Sequence, residues 1–337
     1  MDRANSGIAV IGAGSWGTAL AILLARNGHT TILWGRDAQR IAEMREAGEN
    51  ARFLPGCPFP ENHLALEADL QTAVRGAQDV VLAVPSHAFR AVLETAAPYL
   101  QADAGVVWAT KGLEPSSGRL LHQVAEDVLG NGTALAVLSG PTFAREVAAG
   151  RPAAVTIAAH DEDFGARLSA LFHSNRFRTY TSTDMVGVQI GGAVKNVLAI
   201  AAGIADGLKF GANTRAALIT RGLAELSRLG QEMGGQAETF MGLAGLGDLV
   251  LTCTDDQSRN RRLGLALARG QGLDEALKEI GQVAEGVAAA GEVIRLARSQ
   301  GVEMPICEQV HRVVSEDLSP QEAVEALMTR APGPETC

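Results

Sequence analysis

Ile8-Ala9-Val10-Ile11-Gly12-Ala13-Gly14-Ser15-Trp16-Gly17 is the stretch that decides how the chain folds. Its first four residues form a short apolar, partly β-branched run, the pattern of a buried strand. Three glycines follow in the spacing G-x-G-x-x-G, and an Ala/Leu-rich helical stretch then runs to Asn27-Gly28. The first glycine permits a tight turn. The second lets the backbone approach a pyrophosphate, and the third lets helix and strand pack closely, with the helix N-terminus facing the phosphates. The spacing alone would be a weak sign, and a Gly-rich turn without a ligand is the plain alternative. A strand before it and a helix after it favour dinucleotide binding.

The same alternation continues outward. Strands are expected at 8–11, 31–34, 80–84, 106–109, 135–138 and 154–158, separated by helical stretches. That is the pattern of βαβ units and a parallel sheet. Small, polar or charged residues follow most of these strands: Arg36, Pro85-Ser86-His87, Lys111-Gly112 and Gly140-Pro141-Thr142. In a doubly wound sheet these loops converge on one crevice, where ligands bind. Near Thr183 the texture changes to continuous helical Ala/Leu/Val periodicity. The expected architecture is therefore α/β: a doubly wound, Rossmann-type dinucleotide domain over 1–184 and a mostly α-helical substrate domain over 185–337. Gly-rich breaks interrupt the second part at 242–247 and 281–286, and a polar run spans 254–262. Ser319-Pro320-Gln321-Glu322 carries a cap, a first-turn proline and a capping-box glutamate. The tail at 331–337 is expected to fray.

Composition narrows the function. At 337 residues, with 47% hydrophobic and 20% charged residues, the chain can bury two cores and has no disordered character. A formal charge of −9 offers no general attraction to nucleic acid or an acidic membrane, so an anionic ligand needs a local basic site. Cys57, Cys253, Cys307 and Cys337 have no disulfide or zinc spacing, which fits a reduced, cytoplasmic setting. No signal stretch or uncharged membrane-length run stands out. The histidines, His63, His87, His122 and His173 among them, show no ligand spacing, so no metal is expected. There is no Gly-x-Ser-x-Gly elbow either. Nothing in the residues sets the oligomeric state, and a homodimer stays open.

Several residues carry candidate chemistry. Arg36 precedes Asp37 at the end of the second strand. A guanidinium there suits the 2′-phosphate of NADP and a carboxylate the ribose of NAD; a surface pair between the two is the alternative. Lys195 lies within an apolar helical stretch over 186–205, where its neighbours Gln189 and Asn196 are amides. Burying an ammonium there lowers its pKa from ~10.4 toward neutrality, which would equip it to protonate a carbonyl oxygen as hydride reaches carbon. The rival reading is a lysine snorkelling at a domain seam. Asp248, closing Gly242-Leu243-Ala244-Gly245-Leu246-Gly247, could balance Lys195 or merely cap a helix. Ser258-Arg259-Asn260-Arg261-Arg262 at a helix start suits a phosphate, or is only a solvated basic turn. Lys111 could stabilise phosphate or carbonyl charge. Phe89 fits core packing better than a nicotinamide border.

Together, Gly12–Gly17, Lys111-Gly112-Leu113, Gly140-Pro141-Thr142-Phe143-Ala144, Lys195-Asn196, Gly245–Asp248 and Ser258-Arg259-Asn260 resemble the bacterial-type NAD(P)-dependent glycerol-3-phosphate dehydrogenases over almost the whole chain. The resemblance implies reversible reduction of dihydroxyacetone phosphate to sn-glycerol 3-phosphate, supplying phospholipid synthesis in the cytoplasm. It places Gly12, Gly14, Ser15, Trp16, Gly17, Arg36, Lys111, Ala144, Arg259, Val283 and Glu285 at the cofactor. It places Lys111, Gly140, Thr142, Lys195, Asp248, Ser258, Arg259 and Asn260 at the substrate, with Lys195 the proton acceptor in oxidation. Thr142 stands where serine is frequent, and it keeps the hydroxyl. Two rivals remain: a 6-phosphogluconate or 3-hydroxyacid type dehydrogenase of similar architecture, and a redox sensor that would need no Lys195.

Overall fold

The computed structural model describes residues 7–331; residues 1–6 and 332–337, with Cys337 and most of the stretch expected to fray, lie outside it. Among the described residues, eight strands form one sheet. They are β1 (Gly7–Ile11), β2 (Thr31–Trp34), β3 (Leu64–Glu67), β4 (Ala77–Leu82), β5 (Gly105–Trp108), β6 (Leu135–Ser139), β7 (Ala153–Ala159) and β8 (Phe177–Ser182). Seven helices accompany them: α1 (Ser15–Arg26), α2 (Ala38–Ala47), α3 (Leu70–Val74), α4 (Phe89–Ala96), α5 (Leu121–Leu129), α6 (Ala144–Ala148) and α7 (Glu162–Phe172).

The strand order is β3-β2-β1-β4-β5-β6-β7-β8. Its first six strands are parallel and follow the doubly wound dinucleotide order. Two apolar clusters explain the layering. One packs α1, α2 and α7 on one face around Leu20, Ile22 and Leu24, and the other packs α4 and α5 on the opposite face around Phe89 and Trp108. The order reverses beside β1, and the loops after β1 and β4 face one crevice there.

Three expectations need correction. β3 and β8 were not anticipated, because both are edge strands whose mixed polar sequences, LALE and FRTYTS, are largely half-buried or exposed. β7 runs antiparallel to β6, so the sheet is not wholly parallel. The strand expected at 80–84 begins at Ala77 and ends at Leu82; Gln78 and Asp79 hid its start, and Asp79 is buried there against Arg167.

Beyond β8 the chain is helical: α8 (Met185–Gly207), α9 (Gly211–Glu232), α10 (Ala237–Met241), α11 (Asp248–Thr254), α12 (Arg259–Ala268), α13 (Leu273–Ile280), α14 (Glu285–Ser299), α15 (Pro305–Ser315) and α16 (Pro320–Met328). Asp184 caps α8, accepting from Gly187 N at 2.7 Å. Helix α8 is long and apolar enough to cross a membrane, yet that apolar window is wholly buried in the protein. It is the axis of the helical core, with its first turns reaching the sheet through Met185 and Val188. At its crossing with α12 the two backbones touch: a Cβ on Gly203 would overlap the Arg261 carbonyl, and one on Gly264 the Ile200 carbonyl. The expected capping box at Ser319 and Glu322 opens α16.

The break at 242–247 is not a flexible loop. Leu243–Gly247 forms a wide π-helical turn continuous with α11, a rare geometry often found at functional sites.

Candidate active site

The crevice at the sheet's carboxyl edge is a cleft of about 1730 Å³ bounded by both parts of the chain. At one end stands the Gly-rich turn. Gly12 has φ +121°, and a Cβ there would meet the Ala83 carbonyl oxygen at 2.8 Å, so β1 can turn into α1 only with glycine. At Gly14 a Cβ would meet nothing within 4 Å, because the backbone faces open cleft. Gly17 lies behind, packed on the Gly12 carbonyl. Ser15 and Trp16 line the cleft, and the Trp16 Nε1–H is buried without a protein acceptor. A bare helix N-terminus, open backbone and an orphaned donor fit a dinucleotide.

Beyond β2, Arg36 reaches the same cleft from an exposed position. Asp37 does not pair with it. Its carboxylate caps α2, accepting from Arg40 N at 3.2 Å, and pairs with Arg40 Nε at 3.1 Å. The carboxylate that could have served a ribose is engaged in the helix start, and the guanidinium is not.

At the other end the sheet and the helical core meet around Asp248. Lys111, after β5, places Nζ 2.6 Å from Asp248 Oδ2 and 3.1 Å from the Gly140 carbonyl oxygen. Lys195 on α8 places Nζ 2.6 Å from Asp248 Oδ1 and 2.8 Å from Thr252 Oγ1. Asp248 is fully buried behind the two lysines and is not a cap. The Lys195 ammonium is buried, and that desolvation lowers its pKa to about 8; the Asp248 carboxylate opposes the drop and Lys111 adds to it. Two ammonium groups on one carboxylate leave a net positive charge, which suits an anionic ligand.

The α12 start adds donors. Ser258 caps it, accepting from Arg261 N at 3.2 Å, so its own O–H can donate into the cleft. Arg259 lines the cleft between Gln282 and Glu285. Asn260 donates to Asn196 Oδ1 at 2.9 Å and accepts from Gly286 N at 2.9 Å. Arg261 turns away to Asp206 and Asp256, so one of the three arginines is structural. Thr142, Ala144, Val283 and Glu285 also line the cleft, and Gly140 lies just behind, next to Val155. Phe89 is buried edge-to-face against Trp108, as core packing required.

One residue escaped the sequence reading. Thr252 is buried, donates to the Asp248 carbonyl at 2.6 Å and accepts from Lys195. The available signal was its spacing of four from Asp248, which puts both on one helix face.

Comparison with known proteins gives a family for the chain as a whole. The family model described as NAD-dependent glycerol-3-phosphate dehydrogenase N-terminus matches residues 7–165, and the one for the C-terminus matches 184–325. Glycerol-3-phosphate dehydrogenase [NAD(P)+] of Idiomarina loihiensis is 57% identical over 96% of this chain and 97% of its own length; that of Aeromonas salmonicida is 58% identical over the same shares. The crystal structure of glycerol-3-phosphate dehydrogenase from Coxiella burnetii is 50% identical and superposes with a TM-score of 0.94, covering 97% of this chain and 99% of that one.

Proposed function

The chain belongs to the NAD-dependent glycerol-3-phosphate dehydrogenase family, and on that premise we propose how its residues divide the work. The protein is an NAD(P)-dependent oxidoreductase that interconverts dihydroxyacetone phosphate and glycerol 3-phosphate. Residues 1–184 form the dinucleotide domain and 185–337 the substrate domain. Gly12, Gly14, Ser15 and Trp16 take the pyrophosphate at the start of α1, with Gly17 packed behind them to hold the turn, while Ala144, Val283, Glu285 and Arg259 flank the rest of the cofactor. Arg36 takes a 2′-phosphate, which favours NADP; engagement of Asp37 with Arg40 supports that preference.

The bound dinucleotide supplies hydride to the carbonyl carbon of dihydroxyacetone phosphate, or receives it in oxidation. The Lys195 ammonium donates the proton to the carbonyl oxygen in reduction and its neutral amine takes that proton back in oxidation. Lys111 steadies the developing negative charge. Asp248 fixes both lysines, and Thr252 fixes the Lys195 amine from its other side. Ser258, Arg259 and Asn260, with the Gly140–Thr142 turn opposite, hold the phosphate. The reaction supplies phospholipid synthesis in the cytoplasm.

The observation that carries this reading is the buried Lys111–Asp248–Lys195 bridge at the end of a dinucleotide cleft. The test follows absorbance of NADH and NADPH with dihydroxyacetone phosphate, for the parent and for Lys195→Ala, alongside cofactor titration. Turnover lost with cofactor affinity kept supports it. Turnover kept in Lys195→Ala overturns the mechanism, and cofactor binding without turnover in the parent indicates a sensor.

A further inference from the structure

Ser86 follows β4 and opens the turn into α4, and it is buried at 6% exposure. Its hydroxyl donates to Glu285 Oε2 at 3.1 Å, joining the sheet side of the chain to the helical core. The same hydroxyl lies over Gly112: a Cβ built on Gly112, whose φ is +146°, would stand 3.0 Å from Ser86 Cβ, 3.1 Å from its Oγ and 3.9 Å from Glu285 Oε2.

These contacts close a circuit. Lys111 and Lys195 meet on Asp248. Asn196, the residue after Lys195, accepts from Asn260, which in turn accepts from Gly286 N. Glu285, the residue before Gly286, is held by Ser86, which packs on Gly112, the residue after Lys111. Both lysines are thus joined twice, once through Asp248 and once through the start of α14.

We propose that Ser86 is a positioning residue of this dehydrogenase: by holding Glu285 against the Lys111 loop, it sets the Glu285 carboxylate for the dinucleotide and aligns the two lysines. The inference rests on the reading of Glu285 as a cofactor contact. Burial pushes the Glu285 carboxyl up, while the Ser86 hydroxyl, then the Arg259 guanidinium and His87, and last the Ser86 backbone N–H favour its charged form.

The test is a double-mutant cycle of Ser86→Ala and Glu285→Gln, read on cofactor KM, kcat and their pH dependence, with melting temperature measured for each variant. Alanine is smaller than serine, so folding should persist. Ser86→Ala should raise cofactor KM about tenfold, the scale of one hydrogen bond to a charged group. It should also move the acid-side rise in KM to higher pH, because Glu285 loses a donor. In the Glu285→Gln background both effects should vanish. Parental KM and pH profile in Ser86→Ala, or additivity with Glu285→Gln, would overturn the role of Ser86 alone. Parental KM in Glu285→Gln would instead remove the cofactor contact beneath it, and the proposal with it.

Discussion

Lys111 and Lys195 end on opposite oxygens of one carboxylate, each 2.6 Å from Asp248. One lysine comes from the sheet and the other from the axis of the helical core, so this carboxylate joins the two parts of the chain at the chemistry. Removing one member of such a buried cluster costs far more than a surface ion pair, because it strands the remaining charges.

Asp248→Asn should therefore impair both stability and rate. The melting temperature should fall, reflecting about 3–5 kcal/mol, and kcat should fall by about two orders of magnitude or more. A stable, fully active Asp248→Asn enzyme would contradict the bridge.

The pH profile tests Lys195 directly. With its pKa lowered to about 8, oxidation of glycerol 3-phosphate needs the neutral amine and should accelerate with pH, levelling above about 8. Reduction needs the ammonium and should slow over the same range. Lys195→Met should lose about 10²–10⁴-fold in kcat and flatten both profiles. In any residual activity of Asp248→Asn the midpoint should move to lower pH, since the carboxylate no longer supports the charged lysine.

Gly14 separates binding from folding. No atom lies near its would-be Cβ, so Gly14→Val should keep the parental melting temperature yet lose cofactor binding, measured by quenching of tryptophan fluorescence. Gly12→Val, by contrast, should unfold the turn, since it drives a side chain into the Ala83 carbonyl at a left-handed backbone position. Unchanged cofactor affinity in Gly14→Val would refute the assignment.

Arg36→Glu should reverse cofactor preference. Losing the guanidinium and facing a phosphate with a carboxylate should cut kcat/KM with NADPH by about 10²-fold or more, with NADH affected little. Equal losses on both cofactors would place the 2′-phosphate elsewhere.

Much of this arrangement was legible in the chain itself. The turn at Gly12–Gly17 sits between a wholly apolar strand and an apolar helix, so local pattern and tertiary role agree. Lys195 stood out because the apolar stretch over 186–205 carries no other charge. β3 and β8 were invisible because an edge strand is recruited by its neighbour and needs little pattern of its own. The meeting of Lys111, Lys195 and Asp248 depends on how α8 crosses the sheet, which no spacing encodes. The turn at 242–247 read as a break because of its glycines, whereas here Gly245 is required by close packing on the Phe240 backbone.

The bare backbone crossing of α8 and α12 has an evolutionary corollary. Lys195 and Arg259 ride on two rods whose separation has no side chain left to trim, so the gauge between proton donor and phosphate grip is already at its minimum. Adaptation to a shorter phosphorylated substrate could not proceed by drawing those helices together. It would have to come through longer side chains growing in from the rim, leaving the skeleton of the pocket the same across variants of differing taste.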